Sequence, residues 1–200
     1  MKSLNQAMKY FLFNPLGDTG NESYCFTSKT PDGGVDSYDL IAGFRLSDEY
    51  PDGIEDVYWR LGDNFVGLEL ASYIGNTHRI LAFNKSAANL IISTAQSEIE
   101  TIPFTLLDYK GKVHSKDYVF INPVGSIDCI NWKETVCNRR KNGDVANYEK
   151  LVLDKEKYDD LLHIFRIKYL TAEYIFSETL VNTLLNSGHT NLVFSEIEFA

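Results

Sequence analysis

The 200-residue chain has no long hydrophobic run and no clustered cysteines. Its apolar runs are far shorter than the roughly 20 residues that a transmembrane helix needs, and the run after Lys9 is too short for a signal sequence. The three cysteines, Cys25, Cys129 and Cys137, form no Cys-x-x-Cys pair, which argues against a zinc motif or a disulfide framework. We therefore predict a cytoplasmic protein with reduced thiols, no membrane partner, no metal and no other cofactor.

The chain also lacks the motifs of common catalytic sites. Nucleophile-elbow, zinc-protease, Walker-type and dinucleotide-binding patterns are absent, and the four histidines are scattered. His163 alternates with Phe165 and Ile167, which favours a core or sheet-face histidine over a general base. Cys129 has no cationic neighbour in the sequence to lower its pKa, which favours a buried thiol over a nucleophile. We predict that the protein has no catalytic residues and is not an enzyme.

Basic residues are scarce, and the acidic residues are concentrated near the amino terminus. The net charge is −9, and residues 18–63 hold eleven acidic and three basic residues, a balance of −8. The only basic cluster, residues 139–141, is too small to neutralise a phosphate backbone, so nucleic acid is not a predicted partner. A basic protein partner fits this charge. A solvated acidic face is the alternative.

The densest acidic stretch, residues 48–56, is our hypothesis for a partner-binding surface. Tyrosines lie within and beside it, and tyrosine rings give contact area in interfaces at low entropic cost. The candidate binding residues are Asp48, Glu49, Tyr50, Asp52, Glu55, Asp56 and Tyr58.

Turn signals divide the first 75 residues into short segments. Short β-like runs lie between the turns, and we find no helical periodicity there. We predict a variable, acidic, β- and loop-rich region over residues 1–75, inside a single domain of residues 1–200. The β-like runs are residues 9–13, 24–28, 40–46, 57–61 and 66–71.

A helix–strand unit is predicted between residues 86 and 107. Ser86 has the hydroxyl of an N-cap, and apolar residues at helical spacing follow it. The strand over residues 99–107 places Ile102, Phe104 and Leu106 on one face, and Pro103 favours an edge position or a bulge. The helix covers residues 87–96, with Ala88, Ile91, Ile92 and Ala95 on one face.

A second unit of the same layout ends the chain. Ser177 is the predicted N-cap, Glu178 lies favourably at the positive helix start, and Gly188 is typical of a helix stop. Whether the two units are an internal duplication stays open. The helix covers residues 178–187 with an apolar stripe of Leu180, Val181, Leu184 and Leu185, and a strand follows over residues 193–199.

Helices on one face of a mainly antiparallel sheet give an α+β fold, which is the predicted class. In this fold a few helices pack on the sheet, and the N-terminal half is β- and loop-rich. The remaining predicted elements are strands over residues 118–122, 125–130, 151–153 and 163–167 and a short helix over residues 158–162.

Arg166 interrupts the apolar run of residues 164–167. A contact with an anion or partner is one interpretation. We favour an inward arginine whose planar fork pairs with Asp128, Asp154 or Glu178.

The carboxy-terminal half carries a recognisable order of short motifs. In sequence they are Ile121-Asn122, Ile127-Asp128-Cys129-Ile130, Leu153-Asp154, Ile164-Phe165-Arg166, Ser177-Glu178, Leu180, Gly188 and Phe194. This order resembles the eleventh immunity-protein family of bacterial polymorphic-toxin systems, formerly catalogued as a domain of unknown function. We take residues 80–200 as the family-like helix–strand core.

The resemblance implies a cytoplasmic protein of interbacterial competition that binds and neutralises a cognate toxin domain, encoded by the adjacent gene, as a stoichiometric inhibitor. The candidate residues at 48–58 then become toxin-binding candidates. Two other classes remain open: an interaction or adaptor module of a secretion or phage-like system, and an enzyme that reverses toxin damage. An adjacent gene for a large secreted toxin favours the immunity protein over these two classes.

Overall fold

The computed structural model describes residues 8–158 and 161–200, and its helices and mainly antiparallel strands confirm the predicted α+β class. Within these residues the helices are α1 (Ser37–Ala42), α2 (Leu46–Glu49), α3 (Lys85–Thr94) and α4 (Glu178–Asn186). The strands are β1 (Tyr10–Phe13), β2 (Phe26–Thr27), β3 (Val57–Arg60), β4 (Gly75–Asn76), β5 (Ala82–Asn84), β6 (Ile99–Leu107), β7 (Val113–Pro123), β8 (Val136–Arg139), β9 (Val145–Lys150), β10 (Val152–Leu153), β11 (Ile164–Ile167), β12 (Leu170–Ser177), β13 (Phe194–Glu196) and β14 (Glu198–Phe199).

Two four-stranded sheets form the framework. The first has the order β11–β12–β1–β13 and is antiparallel throughout. The second has the order β3–β6–β7–β5, in which β3 runs parallel to β6 and the other pairs are antiparallel. Strands β1 and β3 come from the first 75 residues, so each sheet joins an N-terminal strand to strands of the later half.

Three apolar cores lie on the faces of these sheets. Helices α3 and α4 pack on each other over a core to which both sheets contribute, including Phe13 and Phe176 from the first and Phe83 and Ile121 from the second. The other face of the second sheet is covered mainly by N-terminal residues 25–54. The other face of the first sheet is covered mainly by residues 127–158. Both sheets are thus covered on both faces.

The prediction of a strand and no helix at residues 40–46 is wrong, because α1 and α2 occupy this segment. The side chain of Asp36 accepts a hydrogen bond from the Tyr38 amide at the start of α1, and Gly43 ends this helix in the left-handed region with φ of 78°. Helices of six and four residues are too short to leave a recognisable apolar period.

Other N-terminal runs are confirmed only in part. Strands occupy residues 10–13 and 57–60, close to the predicted bounds, but the run at 24–28 has only the two residues of β2 and a bridge at Tyr24. The predicted strand at 66–71 is wrong, because this segment is a loop with a single bridge at Glu69.

The first helix–strand unit is confirmed with a corrected start. The N-cap of α3 is Asn84, whose side chain accepts a hydrogen bond from the Ala87 amide at 2.8 Å, and not Ser86. The helix consequently begins two residues earlier, and Ile92 is exposed. Strand β6 has the predicted bounds, with Ile102, Phe104 and Leu106 buried. Pro103 was predicted at an edge or a bulge; it lies in an inner strand and pairs with Val119, but it precedes the first residue of β6 that pairs with β3.

Strands of the later half follow the prediction unevenly. Residues 118–122 lie in β7, and β10 and β11 lie in the predicted runs at 151–153 and 163–167. The predicted strand at 125–130 is wrong, since only Ile127 and Ile130 form isolated bridges. The predicted closing strand is divided into β13 and β14 at Ile197. The short helix predicted at 158–162 falls in part on residues 159–160, which lie outside the described residues.

The terminal helix α4 begins as predicted. The Ser177 side chain accepts a hydrogen bond from the Leu180 amide, and Gly188 follows the helix with φ of 77°. Leu180, Val181 and Leu184 are buried, whereas Leu185 is 47% exposed. The apolar stripe is therefore narrower than predicted.

Replacing Leu184 with alanine is expected to lower the free energy of unfolding by about 2–4 kcal/mol, because it leaves a cavity in a packed core. The matched control is Leu185→Ala, one residue further along the same helix and half-exposed, which is expected to change it by about 1 kcal/mol or less. Chemical denaturation of the two variants measures the difference. Equal losses would contradict the orientation of α4.

Candidate functional site

A groove of about 620 Å³ opens beside the start of β3. One wall is made by α2 and the turn that follows it, and the other by residues 54–56 and the beginning of β6. The turn is tight: the Gly53 amide donates a hydrogen bond to the Tyr50 carbonyl at 3.0 Å, and Gly53 has φ of 91°. We call this the acidic groove because of the carboxylates that surround it.

Three of the seven residues predicted as a binding surface line this groove, and the other four lie within two residues of a lining residue in the sequence. Asp48 and Glu49 are on α2, Asp52 is in the turn, and Glu55 and Asp56 line the groove just before β3. All five acidic residues are exposed. The two tyrosines are Tyr50, which lines the groove at the end of α2, and Tyr58, which is 40% exposed on β3.

Tyr50 is held by the fold. Its hydroxyl donates a hydrogen bond to the Asp39 carboxylate at 2.6 Å and accepts one from the Asp36 amide at 2.8 Å. Partial burial, followed by the carboxylate of Asp39, raises the pKa of Tyr50 above its ordinary value. The hydroxyl is therefore held by hydrogen bonds to α1 and its N-cap residue. These bonds fix the ring in the wall of the groove. Tyr58 remains the more accessible of the two candidate anchors.

The charge of the groove is largely uncompensated. Asp48 lies 3.7 Å from the guanidinium of Arg45, which also binds Glu98. Within the described residues, Glu49, Asp52, Glu55 and Asp56 form no ion pair. Unpaired carboxylates around one concavity give a negative field that attracts a basic surface.

Glu100 connects the groove to the sheet beneath it. Its carboxylate accepts hydrogen bonds from the Leu46 amide at 2.6 Å and the Ser47 amide at 3.0 Å, so it caps the start of α2. Burial alone would raise the pKa of Glu100, but these amide bonds outweigh it and hold the pKa below its ordinary value. A carboxylate from the later half of the chain thus fixes a helix of the acidic segment.

Asn122 carries this connection into the buried centre. It lies opposite Glu100 in the β6–β7 pairing and is fully buried. Its side-chain amide donates to the Glu100 carboxylate at 3.1 Å and to the Phe44 carbonyl at 2.8 Å. Its side-chain oxygen accepts a hydrogen bond from Arg166 at 3.0 Å. Asn122 therefore links a buried cation to the anion at the groove.

Arg166 is fully buried, as favoured from the sequence, but its predicted carboxylate partners are wrong. All five N–H groups donate to neutral oxygens, at 2.7–3.0 Å. Asp128 and Asp154 pair with lysines instead. The predicted partners of Arg166 were Asp128, Asp154 and Glu178. Its observed acceptors are the side chain of Asn122 and the backbone carbonyls of Leu40, Ile41, Pro123 and Thr171.

Two of these acceptors belong to the last turn of α1. The carbonyls of Leu40 and Ile41 carry the partial negative charge of a helix end, which suits a cation. Gly43 lets the arginine approach, because a Cβ there would lie 2.7 Å from the Arg166 Cδ. The ring of Tyr174 lies 4.5 Å from the guanidinium carbon and adds a cation–π contact. Arg166 thus binds α1 to the sheet, as Glu100 binds α2.

This Arg166–Asn122–Glu100 network was missed in the sequence, although signals for it exist. Glu100 shares strand parity with the buried residues Ile102 and Phe104, which is an unusual position for an acid. Asn122 ends an apolar run, and Arg166 interrupts another. Each signal points to a buried polar group, but strand register is needed to bring the three together.

Two histidines are partly buried against serines. His163 Nδ1 lies 2.7 Å from Ser177 Oγ, and His189 Nδ1 lies 3.0 Å from Ser72 Oγ. Burial lowers the pKa of both histidines below the ordinary value of 6.5. His163 is thus a half-buried sheet-end residue, as favoured from the sequence.

These histidines predict a loss of stability in mild acid. Below about pH 6.5 the unfolded chain takes up protons that the folded chain resists, so the free energy of unfolding falls as pH falls toward the depressed folded pKa values. Above pH 6.5 both imidazoles are mostly neutral in the folded and the unfolded chain, so this penalty is absent. Urea denaturation between pH 7.5 and 5.5 measures the slope, and His163→Gln with His189→Gln is expected to reduce it. An unchanged slope in the double variant would refute this assignment.

In the described residues no cysteine lines the acidic groove, and its carboxylates are not placed to share a metal ion. Cys25 and Cys129 are buried free thiols, and burial raises the pKa of each to about 12. Across residues 8–158 and 161–200, no group of three His, Cys, Asp or Glu side chains is placed to hold a metal ion. In the same residues we find no helix with the length and hydrophobicity needed to cross a membrane.

Comparison with protein-family models identifies a family. A family model described as the Imm11 immunity protein family matches residues 97–198, just over half of the chain. A comparison with curated proteins finds no match. The matched range contains Glu100, Asn122 and Arg166, whereas the seven candidate binding residues lie before it.

Proposed function

Because the chain belongs to the Imm11 immunity protein family, we propose that it binds a cognate bacterial toxin domain and neutralises it as a stoichiometric inhibitor. The family match over residues 97–198 is the observation that carries this proposal. The toxin is the carboxy-terminal domain of a secreted protein encoded by the adjacent gene, and the protein meets it in the cytoplasm. The protein acts by occupying the toxin, without catalysis, a cofactor or nucleic acid.

The acidic groove is the proposed contact for the toxin. Its unpaired carboxylates suit a toxin whose active site is lined by basic side chains, and exposed rim charges mainly raise the association rate. The candidate contacts are Asp48, Glu49, Tyr50, Asp52, Glu55, Asp56 and Tyr58.

The division between groove and matched range supports this assignment. Residues 48–58 precede the matched range, whereas the network that holds α1 and α2 belongs to it. In the proposed arrangement the family-like residues hold the scaffold, and the residues outside the match recognise the particular toxin. Residues 1–75 and 80–200 act together in one domain.

Co-expression with the toxin domain tests the proposal. The expected result is restored growth of cells that produce the toxin and co-purification of an equimolar complex. The control is a toxin domain from an unrelated system, which the protein is expected neither to bind nor to neutralise. Absence of both rescue and complex formation with the adjacent toxin would overturn the proposal. Rescue without a complex would instead favour an enzyme that reverses the damage.

A further inference from the structure

A second concave surface lies beyond the other end of β3. This groove has a volume of about 390 Å³ and lies between residues 16–26 and the loop of residues 64–66. We call it the apolar groove. Its apolar lining comes from Leu16, Tyr24, Cys25, Phe26, Phe65 and Val66.

The loop of residues 64–70 displays apolar side chains to solvent. Val66 is 79% exposed, and Phe65, Leu68 and Leu70 are each exposed by about two fifths or more. An isolated exposed apolar residue needs no explanation, but several in one short loop beside a groove are typical of an interaction surface.

This loop is held firmly although its side chains point outward. The Glu69 amide donates to the Ser23 carbonyl, and the Cys25 amide donates to the Glu69 carbonyl, both at 2.9 Å. The Leu68 carbonyl lies 2.9 Å from the His114 ring nitrogen, and the ring centroids of Phe65 and Phe26 are 4.3 Å apart.

Gly67 allows this close packing. A Cβ at this position would lie 2.5 Å from the carbonyl oxygens of both Glu22 and Tyr24, so any other residue forces the loop away. An apolar loop fixed before binding loses little conformational entropy when a partner covers it.

The charges of the apolar groove indicate the kind of partner. Asp18 and Glu22 line it, and in the described part of the chain no basic side chain does. The matching surface is therefore an apolar projection flanked by Lys or Arg. The acidic groove also favours a partner with basic side chains. Strand β3 lies between the two grooves in the sequence. Its four residues span about 13 Å at about 3.3 Å per residue. That span fits within one protein–protein interface of standard size.

We propose that the apolar groove and the loop of residues 64–70 form a second part of the toxin-binding surface, which receives an apolar side chain of the toxin with basic neighbours. This inference rests on the proposed function. The acidic groove sets the association rate, and the apolar loop sets the lifetime of the complex. Apart from residues 100–103 in the acidic groove and Asn191 in the apolar groove, the residues that line the two grooves lie before the range that the family model matches.

The test is the double variant Val66→Asn with Leu68→Gln, measured by surface plasmon resonance against the inactivated toxin domain encoded beside this chain. Both side chains are exposed, so the variant is expected to fold with wild-type stability. Dissociation is expected to become about tenfold faster or more, with the association rate and its salt dependence unchanged. The control is Ile92→Gln with Leu185→Gln, two apolar residues on α3 and α4 that are 45% and 47% exposed, which are expected to leave both rates unchanged.

The outcomes separate this inference from the proposed function. If wild-type protein binds the toxin and the loop variant dissociates at the wild-type rate, the apolar surface is not part of the interface. If sedimentation shows that the loop variant abolishes a wild-type dimer while toxin dissociation is unchanged, the occupant is a second copy and the inference is wrong. Failure of wild-type protein to bind the toxin at all refutes the proposed function instead.

Discussion

Replacing Arg166 with methionine is expected to lower the free energy of unfolding by about 3–5 kcal/mol. The substitution leaves five buried acceptors without their donor, including two carbonyls of α1 and the side chain of Asn122. Because this arginine joins α1 to the sheet, the amides of α1 and α2 are also expected to exchange hydrogen faster. Chemical denaturation measures the first effect, and hydrogen exchange the second.

Two variants serve as comparisons for Arg166→Met. Arg166→Lys keeps the charge but has three donors on one nitrogen, so it is expected to recover only part of the lost stability. Arg45→Met removes an arginine that is 42% exposed and is expected to have little effect on stability. A loss below about 1 kcal/mol for Arg166→Met, or no faster exchange in α1, would contradict the structural role given to the network.

Reversing Asp52, Glu55 and Asp56 to lysine is expected to slow association with the toxin about tenfold or more at low salt. The three side chains are exposed and unpaired in the described part of the chain, so folding is expected to be unaffected. The difference from wild type is expected to shrink as salt rises, because the screening length falls to about 8 Å near physiological ionic strength. Stopped-flow association over a series of salt concentrations measures it.

A matched reversal separates the local field from the net charge. Asp117, Glu134 and Glu149 are exposed acids elsewhere on the chain, and reversing either set raises the formal net charge by six, from −9 to −3. The control triple is expected to associate at close to the wild-type rate. Equal slowing by both triples means that only the net charge matters, and no slowing by either means that the acidic segment is a solvated face.

Those parts of the fold that depend on local signals could be predicted from the sequence. Ser177 begins α4 and Gly188 follows its end, because a hydroxyl cap and a left-handed glycine act within one turn of the chain. Strand β6 was predicted with its bounds because Ile102, Phe104 and Leu106 alternate with less buried residues in its second half. The acidic residues at 48–56 could be identified as a cluster from the sequence because they are near neighbours in the chain.

The missed features depend on contacts between distant segments. Helix α1 is held by Arg166, more than 120 residues later, and α2 is capped by Glu100, so local propensity alone did not reveal either helix. The partners of Arg166 are mostly backbone carbonyls, which no side-chain pattern identifies. Residues 66–71 were predicted as a strand because Val66, Leu68 and Leu70 alternate, whereas the backbone of this loop packs on residues 22–25.

Titration of the toxin's activity with this protein tests the central claim most directly. A stoichiometric inhibitor is expected to reduce the toxin's activity linearly, with complete inhibition at one equivalent. The toxin's activity is not expected to recover on longer incubation of the complex. An enzyme that reverses the damage, or an adaptor that leaves the toxin active, gives a different result. Restoration of the toxin's target by far less than one equivalent, or full toxin activity at an excess of the protein, would contradict the account.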